Sequence, residues 1–149
     1  MNDKEKAETM EIVKKIIAKD RFCMEVAGIE LLELHPGEAK AKMAIKNFHL
    51  NGLGTVQGGA IFTLADLALA AAANSHGTAA VLVNANIAYF KAVSQGNLYA
   101  VAKEESLHNK LATYLIKITN DQGDLIAQMQ ATVYRKSQTL ESVLAGSDS

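Results

Sequence analysis

The sequence predicts an α+β fold in which a long antiparallel β-sheet wraps around one buried α-helix. The run from Ala60 to Ala73 is rich in Ala and Leu and is apolar on every side, which is the pattern of a fully buried helix. Two short alternating segments precede this helix, and four strand-like runs follow it. Because the turns between the later runs are short, we expect neighbouring strands to pair as an antiparallel meander.

Before the central helix, the pattern predicts an outer helix and a hairpin. Residues 4–19 place apolar side chains among Lys and Glu at helical spacing, so this helix is expected to lie across the outside of the domain or against a partner. Alternation from Glu25 to Leu34 and from Glu38 to Lys46 predicts two paired strands, with His35-Pro36-Gly37 as the turn. A loop rich in Asn and Gly, residues 47–55, then leads to the central helix.

After the central helix, His76-Gly77 is typical of a helix end. The segment after Ser137 ends in small polar residues and is expected to be frayed. We interpret the sequence as one domain over residues 1–149, with a core at about 22–136 and a tail at 137–149. The four later strands are expected at 79–92, 98–107, 111–120 and 125–136.

Composition and charge exclude several classes of partner. A net charge of −1 gives no general attraction to nucleic acid or to anionic membranes. The central apolar run is also shorter than the ~20 residues that span a bilayer. We therefore expect a soluble protein with neither a nucleic-acid nor a membrane partner.

The cysteine and histidine content predicts neither a disulfide nor a metal site. Cys23 is the only cysteine, which excludes an internal disulfide and suits a reducing cytoplasm. We expect it to be a buried small hydrophobe rather than a nucleophile. The histidines are scattered without metal-ligand spacing, so we expect no metal and no cofactor. They are His35, His49, His76 and His108.

Asp66 is the one carboxylate within the apolar helix, and it has two interpretations. Burying an ionised carboxylate costs several kcal/mol unless the group is paired, so Asp66 is either a hydrogen-bonded structural residue or a functional one. Gly58 and Gly59 favour function, because they place unhindered N–H groups at the positive end of the helix. Such donors stabilise a carbonyl oxygen that acquires negative charge, as in an oxyanion hole.

The central motif resembles a known family. The run Asn51-Gly-x-Gly-Thr-x-Gln57-Gly58-Gly59, followed by Leu64-Ala65-Asp66, is similar to the hotdog-fold acyl-CoA thioesterases of the phenylacetate-degradation type, relatives of the 4-hydroxybenzoyl-CoA thioesterases. Asn86-Ile87-x-Tyr89-Phe90-Lys91, Asn109-Lys110 and the run from Ala131 to Lys136 fit the same layout. The resemblance implies a hotdog fold and a cytoplasmic hydrolase that acts on acyl-CoA as a homodimer or a dimer of dimers.

The resemblance also implies roles for the central residues. The N–H of Gly58 or Gly59 would polarise the thioester carbonyl, and Asp66 would act as nucleophile or general base. Seven residues separate Gly59 from Asp66, about 10 Å along a helix, which is too far for both to engage one carbonyl. We therefore expect each active site to combine the glycines of one chain with the Asp66 of its partner.

The sequence departs from the family pattern at two positions. Gln57 stands where His usually precedes the glycines; an amide can orient the carbonyl or a water but cannot exchange a proton near neutral pH. The alternative is that the Gln57 side chain only satisfies backbone groups of the loop. Leu82 stands where relatives often carry a small hydroxyl residue, and Asn84 and Asn86, taken to share its strand face at period two, either replace that residue or are ordinary polar sheet residues. Asn51 matches the family's loop Asn and is equally a turn former.

Four cations are candidates for the phosphates of coenzyme A. Each lies at a strand end or in a turn, where a flexible side chain can reach a ligand, although solubility alone also places Lys there. They are Lys91, Lys110, Arg135 and Lys136. The function expected is hydrolysis of acyl-CoA thioesters; the alternative is a hotdog protein that binds acyl-CoA with little or no turnover, because the usual His is absent.

Overall fold

The computed structural model describes residues 1–147, which form three α-helices, two short helical turns and six strands. The helices are α1 (Asp3–Ala18), α2 (Gly58–Asn74) and α3 (Leu140–Ser147), and the turns are a π-helical turn (Phe22–Ala27) and a 3-10 turn (Asn47–His49). The strands are β1 (Ile29–His35), β2 (Glu38–Ala44), β3 (Thr78–Tyr89), β4 (Asn97–Leu107), β5 (Leu111–Thr119) and β6 (Leu125–Thr139).

All six strands form one antiparallel sheet in the order β1-β2-β4-β5-β6-β3. The helix α2 packs against the inner face of this sheet. Much of that face consists of buried alanines, whose small side chains let the Ala-rich helix approach closely. They are Ala39, Ala41, Ala100, Ala102, Ala112 and Ala131. The predicted α+β architecture, with its additional N-terminal helix, is confirmed.

The predicted meander is wrong at β3. This strand pairs with β6 and not with β4, because the segment after it does not fold back as a tight hairpin. Instead, Val93 accepts the N–H of Val56, and Gly96 accepts the N–H of Ile45. The connection therefore crosses to the other side of the sheet and leaves β3, 12 residues long, as an edge strand.

The strand predicted from Glu25 begins only at Ile29. Residues 22–27 form a helical turn because local capping outweighs the short apolar alternation: Asp20 Oδ1 accepts the N–H of Cys23 at 3.0 Å, and Gly28 ends the turn at φ +72. This left-handed conformation suits glycine. The turn buries Cys23, as predicted, and leaves Phe22 exposed.

Residues 137–147 are not a frayed tail. The strand β6 continues to Thr139, and α3 follows it and contacts α1. Leu140 is buried, and its N–H donates to the carbonyl of Gly77 at 3.0 Å. This burial anchors the start of α3, as an apolar side chain removed from water is expected to do. The last two residues of the predicted tail, Asp148 and Ser149, lie outside the described residues.

The helix α2 is not buried on every side. One stripe, with members three or four residues apart on a single helix face, is half-buried or exposed in the single chain. Its members are Gly59, Thr63, Asp66, Ala70 and Asn74. Asp66 therefore lies on the open side of the central helix rather than in the middle of the core.

Candidate active site

The N-terminus of α2 presents one free backbone donor. Gln57 is the N-cap, and its side-chain Oε1 accepts the N–H of Gly59 at 2.7 Å. The N–H of Gly58 has no acceptor among residues 1–147. Since this amide lies at the positive end of a 17-residue helix, it can donate to a carbonyl oxygen that acquires negative charge.

A side chain on either glycine would disturb the packing around this end of the helix: the ring of Tyr89 would have to shift at Gly58, and the flexible side chain of Gln57 would have to move at Gly59. A Cβ on Gly58 would lie 3.2 Å from the ring and hydroxyl of Tyr89, and a Cβ on Gly59 would lie 2.5 Å from Gln57 Oε1. The hydroxyl of Tyr89 donates to the carbonyl of Gly58 at 2.8 Å. Tyr89 belongs to the family-like run on β3, but nothing in the local sequence pattern predicted that it would lie at the site.

Asp66 is half-buried, and no donor among residues 1–147 bonds its carboxylate. Burial raises the pKa of this carboxyl above its ordinary value, and the nearby charge of Asp20 raises it further. The sequence analysis did not identify Asp20 as a site residue. Its position just before residues 22–27 became informative only once the structure showed that these residues form a helical turn. Burial, with Asp20 and Asp66 nearby, raises the pKa of the Cys23 thiol to about 12, so this thiol is not a nucleophile near neutral pH.

Asn51 lies six residues before Gln57 and closes its own loop. Its Oδ1 accepts the N–H groups of Leu53 and Thr55, at 2.9 and 3.2 Å, and its Nδ2 donates to Thr55 Oγ1 at 3.1 Å. This arrangement is an Asx turn. The turn-forming alternative thus accounts for the side chain in this chain, and a catalytic role for Asn51 stays a prediction.

Asn84 and Asn86 lie on the face of the sheet that is turned away from α2. They pair with Thr132 and Gln130 on β6, which alternate with the buried residues of that strand. A β-bulge between Leu82 and Asn84 shifts the register, so Leu82 does not share the face on which Asn84 and Asn86 lie. The expectation of a common face was wrong because period-two alternation does not continue through a bulge.

The four candidate cations do not form one cluster. Lys91 lies beside Gly58 and Tyr89, and its Nζ pairs with Asp124 Oδ2 at 2.6 Å. Arg135 lies opposite Ala80, near the other end of β3. At 3.3 Å per strand residue, this position is about 30 Å from the end of β3 beside Lys91. Lys110, whose carbonyl accepts the N–H of Arg135, and the adjacent Lys136 lie at that same end. One chain therefore cannot bring all four to a single phosphate group.

An apolar cavity of about 420 Å³ adjoins the N-terminus of α2. Three of its side chains are large, apolar and unusually exposed: Phe22 at 59%, Val26 at 58% and Phe48 at 70%. Gln57 and Gly59 form part of the same wall. The sequence reasoning missed this cavity, although two of the four phenylalanines fall outside any predicted apolar face.

His49 is hydrogen-bonded to the segments that form the walls of this cavity. Its Nδ1 accepts the N–H of Lys46 at 2.9 Å, so the ring hydrogen is on Nε2, which donates to the carbonyl of Ala27 at 2.8 Å. Its own carbonyl accepts the N–H of Gln57 at 2.8 Å. One buried residue thus links the π-helical turn, the 3-10 turn and the first residue of the central helix motif.

Two findings limit other kinds of site within residues 1–147. No three His, Cys, Asp or Glu side chains lie together as a metal ligand set. None of the helices is both long enough and apolar enough to cross a membrane.

Comparison with known proteins assigns the family. Residues 53–127 match the thioesterase superfamily. A relative from Archaeoglobus fulgidus that is named as an esterase is 42% identical over 134 residues, which cover 89% of this chain and 87% of the relative. Acyl-coenzyme A thioesterase PaaI of Escherichia coli is 31% identical over 119 residues, covering 79% of this chain and 85% of that protein.

The solved structure of the E. coli PaaI protein, from the phenylacetic acid degradation operon, superposes with a TM-score of 0.83 at 27% identity and covers 89% of this chain and 96% of that one. The chain belongs to the thioesterase superfamily, and it is a thioesterase of the PaaI-like hotdog type. This confirms the resemblance that the central motif predicted.

Proposed function

We propose that this protein hydrolyses acyl-CoA thioesters to a free acid and coenzyme A, at sites shared between two copies of the chain. The carrying observation is the N–H of Gly58 at the start of α2, which has no acceptor within the described residues, in a chain of the thioesterase superfamily. A donor in this position is suited to stabilise the oxyanion that forms when a nucleophile adds to a thioester carbonyl.

Three features support a site built between chains. The glycines and Asp66 are about 10 Å apart along α2, and the half-buried stripe that contains Asp66 is open in the single chain. The edge strand β3 also has 12 residues whose outer backbone groups are unpaired by the sheet. Pairing of β3 with its copy would extend the sheet and bring two α2 helices together in antiparallel directions, with Asp66 beside the partner's glycines.

The chemistry then requires the Asp66 carboxylate in its ionised form. As a general base, it takes a proton from water; the hydroxide adds to the carbonyl carbon, and the C–S bond breaks to release the thiolate of CoA, which takes up the proton. As a nucleophile, it forms a mixed anhydride with loss of the thiolate, and water then cleaves the anhydride. The raised pKa of Asp66 makes it a stronger base than an exposed Asp.

For CoA recognition, Lys91 has the most favourable place, since it borders the depression that includes Gly58 and Tyr89. Its ion pair with Asp124 is exposed, and such a pair contributes only about 0–1 kcal/mol, so a phosphate can compete for the ammonium. Lys110, Arg135 and Lys136 could serve the same ligand only from a second copy.

The second candidate is a protein that binds acyl-CoA without efficient turnover. It is favoured by the Gln57 side chain, which occupies the N–H of Gly59 at 2.7 Å and offers no proton exchange near neutral pH. A hydrolysis screen across acyl-CoAs, with released thiol as the readout, separates the two candidates. Thiol release by wild type supports hydrolysis, whereas binding of the same acyl-CoAs with no thiol release supports the binder.

A further inference from the structure

We propose that Tyr89 is a positioning residue for thioester hydrolysis: its hydroxyl holds the backbone of Gly58 in place, so that the free N–H of Gly58 meets the thioester carbonyl in a fixed direction. This inference rests on the proposed hydrolysis of acyl-CoA, and it adds a side chain of the sheet to the residues on α2 that would carry out the reaction. Tyr89 acts through Gly58 and need not touch the substrate.

The first argument is the conformational freedom of the donor. Gly58 and Gly59 are the first two residues of α2, and glycine has more backbone freedom to lose than any other residue. A donor stabilises a developing oxyanion most strongly when it is already in place and needs no reorganisation during the reaction. The helix therefore begins with the residue type that is least suited to hold a donor still, so other groups of the chain must restrict it.

The second argument is that the chain does restrict the two peptide groups around Gly58. The carbonyl of Gln57 accepts the N–H of Ala60 at 2.9 Å, which fixes the peptide group that carries the Gly58 N–H. In the next peptide group, the carbonyl of Gly58 accepts the Tyr89 hydroxyl at 2.8 Å. The N–H of that same group, which belongs to Gly59, donates to Gln57 Oε1 at 2.7 Å. Within residues 1–147, the N–H of Gly58 is the one polar atom of these two groups without a partner.

The third argument is the support behind Tyr89. This residue ends β3 and lies opposite Ala127 on β6. The N–H of the next residue, Phe90, donates to the carbonyl of Ile126 at 2.8 Å, and Ile126 is fully buried. The ring of Tyr89 packs against Gly58, where a Cβ would lie 3.2 Å from it. The hydroxyl thus belongs to a part of the sheet that is bonded directly to the core.

The fourth argument concerns the state of the hydroxyl. Tyr89 is 48% exposed, so the packing of the core does not require its hydroxyl. The partial burial raises the pKa of Tyr89 above its ordinary value of 10.0. The hydroxyl therefore keeps its proton at neutral pH and can donate it in the hydrogen bond to Gly58.

Tyr89→Phe tests the proposal, because it removes the hydroxyl and keeps the ring against Gly58. We expect kcat on the best acyl-CoA to fall about 3- to 10-fold, the effect of one net hydrogen bond, with KM changed less than twofold. The matched control is Tyr99→Phe. Tyr99 also donates its hydroxyl, to Asp121 Oδ1 at 3.1 Å, but it alternates with the buried residues of β4 and so lies on the outer face of the sheet. This control should keep the wild-type kcat and KM.

A second measurement follows the backbone itself. Nuclear magnetic relaxation of ¹⁵N gives an order parameter for each backbone N–H, about 0.85 for a rigid group and below about 0.6 for a flexible one. In wild type and Tyr99→Phe we expect Gly58 and Gly59 to be rigid. In Tyr89→Phe we expect the order parameters of these two glycines to fall toward about 0.6, while the unfolding midpoint shifts no more than in Tyr99→Phe. A merely structural role of Tyr89 would instead lower the midpoint without a local change at the two amides.

Three results would overturn the proposal: a wild-type kcat in Tyr89→Phe, rigid Gly58 and Gly59 in that variant, or the loss of an alkaline limb from its pH profile, which would make Tyr89 a proton donor. Failure of the proposed function gives a different result. If wild type releases no thiol from any acyl-CoA, hydrolysis itself is refuted, whatever the order parameters are. If wild type hydrolyses acyl-CoA and Tyr89→Phe is equally fast, the role of Tyr89 alone is refuted.

Discussion

The side-chain carbonyl of Gln57 accepts the backbone N–H of Gly59 at 2.7 Å, so one of the two candidate oxyanion donors is capped by its own chain. The cap stabilises α2, and a substrate that uses both amides must displace it. The N–H of Gly58 has no acceptor among the described residues, so a substrate can bind it without displacing a hydrogen bond. The balance between helix capping and carbonyl binding at these residues gives the first prediction.

Replacing Gln57 tests this balance. Gln57→Ala should lower the unfolding free energy by about 1 kcal/mol through loss of the cap, and it should lower kcat/KM about 5- to 150-fold through loss of an orienting hydrogen bond. Gln57→Glu keeps the cap and adds a charge that suits the helix N-terminus but repels the oxyanion. It should therefore retain stability while losing more activity than Gln57→Ala. Urea unfolding and steady-state kinetics measure the two effects, and a Gln57→Ala enzyme as fast as wild type would leave this side chain without a catalytic role.

Asp66→Asn removes the charge at nearly constant volume. We expect hydrolysis to fall at least 100-fold, a loss of about 2.7 kcal/mol in transition-state stabilisation, with the fold intact. Glu105→Gln is the matched control, because Glu105 is an exposed acid on β4, and it should retain wild-type activity. Thiol release on the best substrate measures both variants. Near wild-type kcat in Asp66→Asn contradicts the assignment.

Complementation tests the site between chains. Asp66→Asn mixed with Gly59→Val should regain activity in heterodimers, because each mixed dimer contains one site with both intact halves and one with neither. Subunit exchange is verified by native mass spectrometry before the assay. Exchange without recovery of activity would indicate a site within one chain.

The pH dependence follows from the raised pKa of Asp66. Since either role needs the carboxylate, kcat/KM should rise along one acidic limb whose midpoint lies above the ordinary Asp value of 3.8, and then stay level. Asp20→Asn keeps an oxygen that can accept the N–H of Cys23 but removes the second cause of the shift. The limb should move to lower pH in this variant; an unchanged midpoint would leave Asp20 without influence on Asp66.

The same shift predicts a stability difference with a definite sign. A carboxyl whose pKa is raised on folding favours the folded state when protonated, and this advantage is lost as the pH rises through the folded-state pKa. Asp66→Asn should therefore be more stable than wild type at pH 7, and the difference should shrink as the pH falls below the ordinary Asp value. Urea unfolding at both pH values measures this, and a less stable Asp66→Asn at pH 7 would mean that the carboxylate has a favourable partner.

Local patterns predicted most of the fold, and long-range pairing explains what they missed. The all-apolar run from Ala60 to Ala73 identified α2, and alternation identified β4 to β6. The position of β3 could not be read from the sequence, because it depends on a crossing connection held by bonds such as Val56 N–H to the Val93 carbonyl. The bulge before Asn84 reversed the face of that residue without any Gly or Pro to signal it.

For the same reason, the sequence predicted some residues of the candidate site and missed others. Gly58, Gly59 and Asp66 follow one another on a single helix, so their spacing carries information. Phe22 and Phe48 are brought together by His49, which bonds Ala27 from 22 residues away, and neither segment suggests a cavity by itself. Sequence periodicity describes one element at a time, whereas this cavity exists only where three segments meet.

The hydrogen bond from Tyr89 to the carbonyl of Gly58 connects the edge of the sheet to the residue whose N–H would polarise the substrate. Tyr89 is the last residue of β3, so the strand that two copies would share is bonded directly to the first residue of α2. Specific activity should then fall on dilution, and it should fall further in a variant whose β3 cannot pair. In this protein, a single equilibrium would control both the association of two copies and the formation of an active site.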